Sequence, residues 1–79
     1  MKFEFSNDVM KVIMKLDTKT TGRIVKSIMG LPEKGDIKSL AGEHAGRFRL
    51  RVGDWRILYT VENNVVMVEN ILPRGDAYK

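Results

Sequence analysis

The stretch GRFRLRVGDWRILYTVENNVVMVENILP, residues 46–73, decides the fold. Phe48, Leu50 and Val52 alternate with Arg47, Arg49 and Arg51. A period of two is the signature of a half-buried strand. Gly53-Asp54 then supplies a turn, Trp55 to Val61 reads as a second strand, and Asn63-Asn64 makes a two-residue hairpin, because Asn tolerates positive φ. Val65 to Leu72 is a third strand, stopped by Pro73. Its opening run, Val65-Val66-Met67-Val68, is apolar at every position, which suits a strand covered on both faces and places it centrally.

Upstream the period changes. Lys2-Phe3-Glu4-Phe5 alternates and reads as a short strand. Ser6 or Asn7 offers an N-cap, and Val9, Val12, Ile13 and Leu16 form one stripe of a helix. Asp17 or Thr18 caps a second helix with the stripe Thr21, Ile24, Val25 and Ile28. Gly30 is expected to end it in a left-handed conformation, with Leu31 packing back and Pro32 forbidding continuation. Glu33 to Gly46 reads as loop. The expectation is an α+β fold of order β-α-α-β-β-β, a helical hairpin packed on one face of a small, mostly antiparallel sheet. Residues 1–79 should form a single domain. So small a core supplies only a few kcal/mol of net stability, and there is no Cys to add a disulfide.

The absence of Cys fits a reducing cytoplasm. The N-terminal residues show no signal-peptide pattern, and no apolar run approaches the roughly 20 residues that span a bilayer. A cytoplasmic protein without a membrane partner is expected. The net charge is +4, and residues 44–59 hold four Arg against one Asp. Glu62 and Glu69, the nearest acids, fall at a distance from these arginines in the expected hairpin register. Solvated strand arginines commonly do no more than cover apolar surface with their stems. Four without a carboxylate favour an anion instead, because the guanidinium is planar, permanently charged and bidentate toward phosphate.

RNA is cut without metal when its 2′-OH attacks the adjacent phosphate. That step needs a base, an acid, and cations for the charge gathering on phosphorus. Arginines serve the last need only, since a pKa of about 12.5 or more makes them poor proton donors. Tyr59, Tyr78 and His44 are the candidate proton carriers, His44 being the one side chain that titrates near neutrality. A lone loop histidine is more often inert than catalytic. No metal-ligand spacing, P-loop, nucleophile elbow or dinucleotide fingerprint occurs, so neither cofactor nor metal is expected.

GDIKSLAG followed by GRFRLRVGDWRILYTVENNVVMVENILPRGDAYK, roughly residues 35–79, resembles the RelE/ParE toxin superfamily. The shared pattern is a Gly-Asp-apolar-Lys loop, an aromatic-Arg-Leu-Arg strand, a Gly-Asp turn, an aromatic-Arg strand and a tail containing Arg and Tyr. The resemblance implies a RelE-like fold, akin to the microbial ribonucleases, and the toxin of a type II toxin–antitoxin pair. RelE-like members cut mRNA in the ribosomal A site; ParE-like members poison DNA gyrase. It implies that Arg47 and Arg49 face the RNA backbone, that Arg56 stabilises the scissile phosphate, and that Arg74 and Tyr78 complete the site, Tyr78 as base or stacking platform; Arg51, on the same side of the strand as Arg47 and Arg49, is a further phosphate-binding candidate. The pattern is broken before Arg74, where Ile71-Leu72-Pro73 replaces a stretch that carries His or another basic residue in many ribonuclease members. The partners implied are the ribosome with its mRNA and a cognate antitoxin, whose inhibitory segment the charge of +4 predicts to be acidic. Met10 and Met14 beside the first helix's stripe are core filling or adaptable interface residues. The alternatives are a gyrase inhibitor of the same fold and a detoxified member that binds only RNA or its partner.

Overall fold

The structure is a computed structural model that describes residues 2–40 and 46–73. The arginine-rich strand β3 (Phe48–Val52) and its successor β4 (Trp55–Glu62) form an antiparallel hairpin around Gly53, whose φ is +58°. The next reversal, at Asn63 and Asn64 with φ of 51° and 66°, returns the chain along β4 as β5 (Val65–Pro73). The asparagine hairpin is therefore as the sequence predicts. β1 (Lys2–Phe5) pairs in parallel with β5, so β5 is flanked on both sides, as its apolar run requires.

Between β1 and the hairpin lie α1 (Asn7–Lys15) and α2 (Thr18–Met29). Ser6 caps α1 by accepting from the Val9 amide, and Asp17 caps α2 by accepting from the Thr20 amide. The helical stripes bury Val9, Ile24 and Ile28 against Leu50, Val52, Ile57, Tyr59, Val66, Val68 and Ile71. α1 lies over β5 and α2 over β3, so the two helices roof different parts of one sheet face.

Two local expectations are corrected. Gly30 is right-handed, with φ −82° and ψ −9°, because the chain leaves α2 through further turns in which Glu33 and Lys34 donate to the Gly30 carbonyl. Leu31 does pack back and is buried. The left-handed glycine is Gly35, at φ +124°, where a Cβ would come within 2.5 Å of Leu50 Cδ1. The segment read as loop from Glu33 to Gly46 contains a strand, β2 (Asp36–Ser39), antiparallel to β3. One apolar residue in four leaves no periodic signal, and an edge strand needs none. The sheet thus has five strands in the order β1-β5-β4-β3-β2 and the chain order is β-α-α-β-β-β-β, an α+β fold.

Candidate nucleic-acid interface

Strand alternation splits the sheet into a roofed face and an open one. Phe48, Leu50 and Val52 stand opposite Tyr59, Ile57 and Trp55 beneath the helices. The intervening register pairs, Arg49 with Leu58 and Arg51 with Arg56, therefore lie on the open face. Arg47 continues the alternation one step before β3, its carbonyl accepting from the Leu40 amide. Lys38 stands beside Arg49 across the β2–β3 pair. Arg49, Arg51 and Arg56 thus share one face of the sheet, a point that alternation within single strands leaves open. Tyr59 does not join them. It is 1% exposed, its ring is stacked on Phe48 at 5.5 Å, and burial raises its phenol pKa above the ordinary value. It is a core residue and is removed from the candidate proton carriers.

The expectation that no acid reaches the arginines is also corrected. Arg47 Nε donates to Glu69 Oε1 at 2.7 Å. Glu69 arrives through a bulge: Leu58 pairs with Asn70 but Tyr59 pairs with Val68, so Glu69 has no partner on β4. Asp36, on the strand the sequence hides, approaches Arg49 Nη2 at 3.4 Å. That contact is long and the Asp36 side chain is 60% exposed, so it holds Arg49 weakly. Arg51 and Arg56 have no ion pair among the described residues; each donates only to a backbone carbonyl, of Gly53 and Trp55 respectively, at 3.4–3.5 Å. Two cations directly opposite on adjacent strands repel one another. Arg49 Nε is buried and has no hydrogen-bond partner among the described residues. Two facing guanidiniums without an ion pair among the described residues are an arrangement that a phosphodiester would satisfy.

The other end of the open face differs. Glu4, Thr60, Glu62, Asn63, Val65 and Met67 line a shallow depression of about 420 Å³. Its two carboxylates disfavour an anion, so the face is polarised, with the arginines at the β2–β3–β4 end. Candidates Arg74, Tyr78 and His44 lie outside the described residues.

No protein-family model matches the sequence, and no curated protein does. Solved structures do match. A chain of the archaeal RelE–RelB complex from Pyrococcus horikoshii OT3 superposes with a TM-score of 0.76 at 25% identity, covering 96% of this chain and 97% of that one. A chain of the RelB–RelE antitoxin–toxin complex from Methanococcus jannaschii gives 0.76 at 26% identity over 95% and 94%. The chain belongs to the RelE superfamily. The toxin–antitoxin complex RelBE2 from Mycobacterium tuberculosis shares the fold with a TM-score of 0.79 at 24% identity, over 92% of this chain and 96% of that one. Among the described residues, no helix is long and apolar enough to cross a membrane.

Proposed function

We propose that the protein is the toxin of a type II toxin–antitoxin pair and acts as a ribosome-dependent mRNA endoribonuclease. One observation carries this reading: Arg51 and Arg56 face each other on the open face, neither with an ion pair among the described residues. A trigonal-bipyramidal phosphate, with its extra negative charge, fits that arrangement better than a ground-state diester. In the proposed reaction the 2′-OH gives up its proton to a base, its oxygen bonds to phosphorus, and the bond to the 5′-oxygen breaks as that oxygen takes up a proton from an acid. The products are a 2′,3′-cyclic phosphate and a 5′-hydroxyl. Arg56 neutralises the charge on the phosphoryl oxygens, while Arg49 and Arg51 hold the backbone. Arg47 joins them once it leaves Glu69. The proton carrier is assigned to Tyr78, assisted by Arg74, with His44 the weaker candidate. An arginine-dominated site lacks a strong base, so alignment of the mRNA by the ribosome supplies much of the rate.

The test is induction in a bacterium, with mRNA 5′ ends mapped alongside a DNA-damage reporter. New 5′ ends in translated messages, with free RNA cut far more slowly, support the reading. DNA damage with intact mRNA replaces it with the gyrase inhibitor. Silence in both assays leaves a binding-only member.

A further inference from the structure

The open face also carries an apolar strip between its arginines and the end of β5. Leu58 is 7% exposed, yet it stands outside the core cluster beneath the helices. Register sets it between Arg49 on β3 and Asn70 on β5. One row nearer the Gly53 turn, Leu72 stands beside Arg56. Asn70 is therefore the diagonal neighbour of Arg56 on this face, about 7–8 Å away across the ladder. A nucleotide whose phosphate lies on Arg56 can rest its base on Leu58 and Leu72 and reach Asn70 with the base edge. Every aromatic ring among the described residues packs on the roofed side, so here the edge of the base, rather than stacking, carries discrimination.

Asn70 offers only half of its amide. Its Oδ1 accepts from the Ile71 amide at 3.0 Å. That bond fixes which way round the group sits, since the oxygen alone can accept from a backbone N–H. Glu69, the neighbouring acceptor, is taken by Arg47 Nε at 2.7 Å. What remains of Asn70 for a ligand is the Nδ2 group, two donors and no acceptor. An asparagine with both ends free pairs with adenine, donating to a ring nitrogen and accepting from the exocyclic amino group. With the oxygen occupied that pairing is lost. The remaining donors suit an exocyclic carbonyl and meet an exocyclic amino group donor to donor.

We propose that Asn70 is a specificity-determining residue that selects a keto base, uracil or guanine, over an amino base, cytosine or adenine, in the nucleotide held at Arg56. The inference rests on the reading above in one respect, that RNA lies on the open face, and it says which base edge is read there.

The probes are a uridine and a cytidine hexanucleotide with 2′-O-methyl sugars, so that neither is cut, titrated into the full chain by fluorescence anisotropy. Uracil and cytosine differ in having a carbonyl or an amino group at the same ring position. The uridine strand should bind about tenfold more tightly. Asn70→Asp keeps an acceptor for the Ile71 amide and replaces the donors by a second oxygen. It should weaken both strands and reverse their order. Asn70→Ala should bring the two affinities together. A residue that only supports the bulge would weaken both strands equally and leave their ratio alone, so a ratio unchanged in Asn70→Ala overturns the proposal. Equal affinities in the unaltered protein also overturn it, and leave the RNA reading standing. Binding of neither strand removes both. Intact messages in induced cells, with the ratio and its reversal observed, would remove the ribonuclease reading and keep the base preference.

Discussion

The two faces of the β3–β4 hairpin are built from neighbouring residues and obey opposite rules. Leu50, Val52, Ile57 and Tyr59 point under the helices and are almost fully buried. Arg49, Arg51 and Arg56 point the other way, and two of them confront each other across the ladder. The first set lowers the free energy of folding by leaving water. The second raises it by crowding like charges. Stability is thereby assigned to one parity of the hairpin and, on the function proposed above, anion recognition to the other, so a change at one parity leaves the other largely untouched.

Ile57 and Arg56 are adjacent in sequence and test that separation most severely. Ile57→Ala should cost about 2–5 kcal/mol in urea unfolding, enough to leave so small a domain largely unfolded. A loss well under that range would mean the roofed face is not the core. Arg56→Ala should leave the unfolding midpoint nearly unchanged while slowing mRNA cleavage by about 100-fold or more. A melted Arg56→Ala protein would break the division of labour. Ser6→Ala probes a residue that ties the start of α1 to β5. Its hydroxyl accepts from Val9 and donates to the Glu69 carbonyl at 2.7 Å, so about 1 kcal/mol of stability should go with it. Glu69→Gln releases Arg47. Single-stranded RNA should then bind more tightly, with a logarithmic salt slope steeper by about 0.7. An unaltered slope would take Arg47 off the RNA path. The smallest effect concerns Asp17. Hydrogen bonds from Thr20 hold its carboxyl below the ordinary value. Its contribution is therefore present above the normal carboxylate pKa and fades as pH falls through the lowered one. Asp17→Asn should flatten the acid limb of the stability profile slightly, the small loss showing at neutral pH and vanishing below the lowered pKa.

The hairpin and both helices were legible because each repeats a pattern several times: three apolar–arginine alternations in β3, two helical stripes, and a pair of asparagines that fixes the β4–β5 reversal. What escaped is what depends on a single register step. β2 offers only Ile37 as an apolar marker, so Asp36 could not be set beside Arg49. Glu69 reaches Arg47 because of one unpaired residue in β5, and a bulge of that kind leaves no trace in hydropathy. Gly30 and Gly35 are both plausible left-handed positions locally; the choice is made by the approach of the chain to Leu50, a contact between distant segments. The arginines themselves were visible as a set. Which of them keep an internal carboxylate was not.

The parallel pairing of β1 with β5 has a consequence in time. Lys2 finds its partner only at Val65, and Ser6 its acceptor only at Glu69, 63 positions further on. While the polypeptide is being made, β1 therefore waits unpaired until nearly all the elements described here have emerged, and closure over so long a separation is slow compared with forming a helix. The sheet that carries the arginines is therefore completed late, when β1 closes on β5.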